Sequence, residues 1–294
     1  MLIDIFIKTN TKILQKYSFN KVKNFIIFVN ILIHIKNIVM NKRFFSRKPA
    51  IWMICLFLVL LLENFGCYGQ NVKVAFVYTV TTPELKEDVV REVKKELGTV
   101  EILNYEIPSV FEEIKSTGYV TAPPAARLIG TYMKAIEDGA DAILSICSTT
   151  GDIAYSMQEA AKYIGVPIVI INEEMCREAV RKGEKIAIMA TFQSSVDPTR
   201  NIISRVAREM GKHVETRDVI VEGGFGLDPE QFRTLMAAKA KTVADWADVI
   251  IFTQGSMAYC EEYIANMYHK LVLSNPRFGA KALKTALTAK GVKL

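Results

Sequence analysis

From Val72 onward, short runs of Val, Ile, Leu and Ala alternate with longer stretches in which apolar residues recur every three to four positions. Continuous apolar runs of this length read as strands covered on both faces, and the longer period reads as amphipathic helix. The pattern predicts strands at 72–79, 100–105, 141–147, 167–171, 185–191, 214–221, 248–253 and 271–273. Helices are predicted between them, including "PELKEDVVREVKKEL", "PPAARLIGTYMKAIEDG", "GDIAYSMQEAAKYIG" and "DPTRNIISRVAREMG". Strands alternating with crossover helices argue for parallel sheets.

The order contains a repeat. "KVAFVYT" (Lys73 to Thr79) returns as "KIAIMAT" (Lys185 to Thr191), "ADAILSICSTTG" returns as "ADVIIFTQGSMA" (Ala247 to Ala258), and "VIIN" (Val169 to Asn172) returns more weakly as "VLSN" (Val272 to Asn275). The expected fold is therefore α/β, with two pseudo-duplicated lobes, each a four-stranded parallel sheet flanked by helices, and a cleft between them. The first lobe is expected over 70–172 with 276–294 returning to it, and the second over 173–275. In open parallel sheets ligands gather beyond the carboxyl ends of the strands.

Those ends carry "TVTT", "CSTTGD", "TFQSS" and "TQGSMAY", all rich in hydroxyls. Hydroxyls and backbone amides at such turns hold carboxylates or phosphates, although they are also ordinary helix caps. Thr79, Ser148, Thr149 and Thr191 are the expected anchors of one or two carboxylates. Gln254 is expected to donate to a substrate oxygen, with Ser256 beside it. Cys147, at the junction of strand and hydroxyl-rich turn, has two readings. It is a small hydrophobe in a buried strand, or it is a nucleophile or base, since thiols beside helix amino ends ionise more readily and the thiolate is the reactive form. Cys176 and Cys260 fall inside helical patterns and read as structural.

Charge changes the picture only at the front. The formal net charge is +6, but the first 69 residues hold 10 of the 37 Lys and Arg and 2 of the 31 Asp and Glu, leaving 27 against 29 in the body. A nearly neutral body without a basic stripe gives no footprint for nucleic acid. From Met40, "MNKRFFSRK" and the twelve-residue apolar run "IWMICLFLVLLL" precede small residues, the layout of a signal peptide over 40–69 and too short for a spanning helix. The expectation is export, periplasmic or secreted, with membrane contact only through that segment or a lipid on Cys67. Residues 1–39 lack steady periodicity and read as translated upstream sequence ahead of a start at Met40, or else as a membrane-associated segment.

Other chemistries fit poorly. His213 and His269 both precede strands, at the wrong end of the sheets for a Cys/His or Ser/His/Asp site. No Walker loop or GxGxxG opens a helix, "EGGFG" (Glu222 to Gly226) reads as a turn or lid, and no ligand cluster suggests a metal.

The duplicated halves, "GADAILSICSTTGD", "KIAIMAT" and "LVLSNPRFGAKAL" together resemble the aspartate/glutamate/hydantoin racemase superfamily across Val72 to Leu294. The resemblance implies an isomerase without cofactors, acting on a small carboxylate substrate, in which one cysteine from each half flanks the alpha carbon. Cys147 matches the first. The repeat puts Gln254 at the second, where an amide cannot relay a proton, and the hydroxyls of Ser256 and Tyr259 are poor bases. One-thiol chemistry at the alpha carbon of a small amino or dicarboxylic acid is the expected activity, including decarboxylation or double-bond isomerisation. A homodimer is compatible with this reading. The alternative is a secreted two-lobed protein that binds a small anion without turning it over.

Overall fold

The computed structural model describes residues 72–292 and residue 294. The expectations for 1–39, for the signal segment 40–69 and for Cys67 fall outside the described residues.

Eight strands form two sheets. β1 (Lys73–Tyr78), β2 (Glu101–Glu106), β3 (Ala142–Ile146) and β4 (Ile168–Ile170) make the first, in the order β2-β1-β3-β4. β5 (Lys185–Ala190), β6 (Glu215–Ile220), β7 (Val249–Phe252) and β8 (Leu271–Ser274) make the second, in the order β6-β5-β7-β8. All pairs are parallel, and the register repeats: Val74 stands opposite Ala142, as Ile186 stands opposite Val249. The repeated "AD" explains the register. Asp141 Oδ2 accepts the Lys73 N–H at 3.0 Å and Asp248 Oδ2 accepts the Lys185 N–H at 2.9 Å, so each aspartate caps the first residue of the neighbouring strand. Two parallel sheets flanked by helices are thus the fold that the duplicated pattern predicts.

The helices follow from local chemistry. In α1 (Pro83–Leu97), Thr82 Oγ1 accepts the Leu85 N–H, Pro83 opens the first turn, and Gly98 ends the helix at a φ of 72°. Its Leu85, Val89, Val93 and Leu97 recur every four residues and pack on Val74 and Phe76 of β1. α2 (Pro108–Thr117) and α3 (Ala122–Glu137) follow β2. The stretch read as one helix from Gly151 is broken: a 3-10 turn over Ser148–Thr150 leads into α4 (Gly151–Ser156), and α5 (Gln158–Ile164) begins after Met157.

The last helix of each half crosses over. α6 (Glu173–Lys182) leaves β4 and packs on β7 and β8, whereas α10 (Asn275–Ala289) leaves β8 and packs on α1, β3 and β4. Ala280, Leu283 and Leu287 of α10 lie fully buried in the apolar cluster of the first sheet. At Gly279 a Cβ would stand 2.8 Å from Ile171 Cγ1 and 3.2 Å from its carbonyl oxygen, so only glycine lets α10 approach the end of β4 this closely. Between them run α7 (Val196–Glu209), α8 (Pro229–Ala244) and α9 (Glu261–Tyr268). A central cluster joins the lobes, with Val77, Ile143 and Ile170 in the same body of side chains as Ile186, Ile188 and Ile251.

Candidate active site between the lobes

Because every strand runs the same way within its sheet, the carboxyl ends of β1, β3 and β7 deliver their next residues to a common edge. There residues of both lobes line a partly open cavity of about 60 Å³. Thr79 comes from the end of β1, Cys147, Ser148 and Thr149 from the end of β3, and Gln254 and Ser256 from the end of β7. Cys147 is partly exposed and stands at the N-terminal edge of the 3-10 turn, rather than directly at an α-helix start. Gln254 holds the same place before the turn over Gly255–Cys260.

Thr191 does not line the cavity. Its backbone N–H donates to Gln254 Oε1 at 3.1 Å, while Gln254 Nε2 donates to Ser195 Oγ at 3.0 Å. The Gln254 side chain is therefore pinned at both ends to the segment after β5, leaving one N–H for a ligand. Thr253 ties the lobes together. Its carbonyl oxygen accepts from Ser148 Oγ of the first lobe and from Asn275 Nδ2 at 2.9 Å. Its hydroxyl pairs with Ser195 Oγ at 3.0 Å, and Ser195 in turn donates to the Phe192 carbonyl oxygen at 2.8 Å.

Among the described residues, Cys147 is the one titratable group on the cavity wall; the rest are hydroxyls, amides and apolar side chains. Beneath it, Tyr132 shares a 2.7 Å hydrogen bond with Ser145, two residues before the thiol, and burial holds its phenol well above the usual range. Cys176 and Cys260 are fully buried away from the cavity. Burial pushes both thiols up, that of Cys260 to about 11. His213 and His269 are exposed and do not line the cavity. Among the described residues no group of three or more His, Cys, Asp or Glu side chains is placed to hold a metal.

The sequence model of the Asp/Glu/Hydantoin racemase family matches residues 76–283, which span both sheets and the cavity. The chain belongs to that family.

Solved racemase structures share the fold at low sequence identity. Glutamate racemase isoform RacE1 from Bacillus anthracis is 15% identical, with a TM-score of 0.57 over 76% of this chain and 84% of that one. Allantoin racemase from Klebsiella pneumoniae is 18% identical, with a TM-score of 0.54 over 75% and 89%. Aspartate racemase from Picrophilus torridus is 12% identical, with a TM-score of 0.52 over 76% and 96%. No curated protein sequence matches the chain.

In this racemase-family chain the cavity also contains residues that sequence reasoning missed. Asn275 and Ser195 supply polar groups, and Leu85, Phe111, Phe192 and Phe225 supply an apolar wall. The Phe192 ring lies 4.9 Å from that of Phe111, nearly perpendicular, and 5.0 Å from that of Phe225. Asn275 left a signal as the counterpart of Asn172 in the repeat, Ser195 lies in the hydroxyl-rich "TFQSS", and Phe225 lies in "EGGFG", which reads only as a turn or lid. The aromatic residues come from α2 and from two separate loops, with no common spacing.

Proposed function

We propose that this racemase-family chain is an exported, cofactor-independent enzyme that works at the alpha carbon of a small amino or dicarboxylic acid through a single thiol, Cys147. The observation that carries the reading is that Cys147 is, among the described residues, the only acid–base side chain on the wall of a small cavity otherwise lined by neutral donors and apolar groups. In the proposed step the Cys147 thiolate takes the alpha proton, and the electron pair left on carbon moves into the adjoining carbonyl to give an enolate-like oxyanion. Thr79, Thr149 and Ser256 offer hydroxyl donors to the carboxylate, with Ser148 beside them. The remaining N–H of Gln254 donates to the developing charge. Thr191 acts one step back, through the amide that orients Gln254. Cys147 then returns the proton to carbon. An amide at position 254 does not move protons, so a two-base relay has no second member here.

The deciding experiment incubates wild type, Cys147→Ser and Gln254→Ala in deuterated water with small amino and dicarboxylic acids, following alpha-proton exchange, chirality and loss of carbon dioxide. Expected are loss of turnover in Cys147→Ser, weakened turnover in Gln254→Ala, and exchange without inversion in wild type. Rapid racemisation would overturn the single-thiol reading. Tight binding without turnover, equal in wild type and Cys147→Ser, would establish a binding protein instead. Export rests on the charged-then-apolar layout from Met40, and an unprocessed cytosolic chain on fractionation and N-terminal mass spectrometry would refute it.

A further inference from the structure

The loop between β6 and α8 is held firmly at its two ends and weakly between them. The Val221 N–H donates to the Ala190 carbonyl oxygen at 2.8 Å, which extends the pairing of β6. Asp228 Oδ1 accepts the Glu230 and Gln231 N–H groups at 3.0 and 3.1 Å, which caps α8. Between these anchors Glu222, Gly223, Phe225, Gly226 and Leu227 are exposed. Inside the loop the Gly224 N–H donates to the Val221 carbonyl oxygen at 3.1 Å, and the Leu227 N–H donates to that of Gly224 at a long 3.4 Å. Among the described residues no hydrogen bond joins 222–227 to another element.

The glycines of the loop differ in purpose. Gly223 and Gly226 have φ values of 71° and 89°, which L side chains rarely adopt, and a Cβ at either would meet nothing within 4 Å. Conformation, and not space, calls for glycine there. Gly224 is buried, and a Cβ on it would stand 2.8 Å from Phe232 Cε2 of α8 and 3.0 Å from Val221 Cγ1, so its backbone rests directly on the helix. Two permissive residues thus flank a segment with one fixed point, and that segment carries Phe225. The ring lines the cavity and is nevertheless 48% exposed, which puts it at the mouth. Its aromatic neighbour is Phe192, with centroids 5.0 Å apart. Such a pair shifts an equilibrium by about two- to twelvefold, so the ring can leave Phe192 while the rest of the lobe stays folded.

Taking Cys147 as the group that works at the alpha carbon, we propose that residues 222–227 form a gate over it, turning about Gly223 and Gly226 and carrying Phe225 between Phe192 and solvent. With the ring seated, it covers part of the mouth and keeps bulk water from charge developing on carbon. With the ring out, ligands enter and leave. The gate belongs to the second lobe and shields a thiol of the first.

The test follows alkylation of Cys147 in the full-length chain by N-phenylmaleimide and by the smaller iodoacetamide, read by peptide mapping in wild type, Phe225→Ala and Gly226→Ala. Phe225→Ala should raise the N-phenylmaleimide rate about three- to tenfold and the iodoacetamide rate less than about twofold. Gly226 does not line the cavity. Its alanine variant keeps the ring but disfavours the resting backbone by about fivefold or more, so the N-phenylmaleimide rate should again rise about three- to tenfold. A fixed wall would not respond to that change. Unchanged labelling in either variant, or no labelling of Cys147 in any of the three chains, overturns the gate, and so does equal acceleration at buried Cys260, which would report loosening of the whole fold. Hydrogen exchange in wild type should be at least about tenfold faster over 222–227 than at Val221, and equal rates overturn the motion. Alpha-proton exchange in deuterated water, run in parallel, separates the two readings. The labelling order without alpha-proton exchange removes the reaction and supports the gate, whereas alpha-proton exchange without the labelling order removes the gate and supports the reaction.

Discussion

Gly255→Ala puts a single methyl group at the point where the two lobes meet. A Cβ at that position would stand 2.5 Å from Leu85 Cδ1 of α1, 3.0 Å from Asn275 Oδ1 and 3.5 Å from Pro276 Cγ. Carbon atoms rest at about 3.5–4.0 Å, so the Leu85 methyl must retreat by about 1 Å into a packed cluster, and Asn275 is held by its bond to Thr253. Overpacking of this kind costs about 1–3 kcal/mol, and a body of this size loses about 2–4 °C of Tm for each kcal/mol. Urea and thermal unfolding monitored by circular dichroism measure the loss. Gly130→Ala is the control, since nothing lies within 4 Å of its Cβ position inside α3. There the change is expected to stabilise by about 0.4–1 kcal/mol. Leu85→Ala added to Gly255→Ala should recover part of the overpacking cost, because it removes the side chain that the new methyl meets. Leu85 and Asn275 also line the cavity, so ligand affinity should fall with Gly255→Ala alone. Wild-type stability and affinity in Gly255→Ala, or strictly additive effects in the double variant, would refute the inter-lobe contact.

Leu283→Ala, on the helix that crosses back to the first sheet, should cost about 2–5 kcal/mol in urea unfolding, and a loss below about 1 kcal/mol would show that α10 does not pack there. The N–H groups of Lys185 and Glu184 hold the Asp248 carboxyl below its usual range. Its contribution to stability is therefore present above the unfolded pKa of about 4 and is lost as pH falls through the lower folded value. Asp248→Asn should lower stability at pH 7, with the gap closing as pH falls through that lower value, and a gap independent of pH would contradict the assignment. Peptide mapping after brief alkylation of the native chain in mildly alkaline buffer should find Cys147 modified while Cys176 and Cys260 stay protected by burial and by their raised pKa values; labelling of Cys260 at the rate of Cys147 would refute this.

The duplicated architecture was legible in the sequence because each cause is local. A strand buried on both faces needs an unbroken apolar run, an amphipathic helix needs its period, and both signals survive in a linear string. The repeat then exposed the correspondence of β3 with β7, and with it the equivalence of Cys147 and Gln254. Short-range competition blurred a detail: the Ser and Thr residues after Cys147 favour a tight turn, and α4 stops at Ser156, so the stretch read as one helix is two short ones. What only the tertiary structure decided depends on atoms far apart in the chain. Thr191 looked like a ligand anchor by its place in the repeat, yet its amide is directed to Gln254, 63 residues away. Phe111, Phe192 and Phe225 have no periodic relation and become one surface only when α2 of the first lobe meets two loops of the second. Asn275 acquires its unpaired oxygen only because its nitrogen is taken by Thr253. Hydrophobic periodicity records which face of an element is covered, but not which distant side chain covers it, and the chemistry of this cavity is set by the second of these.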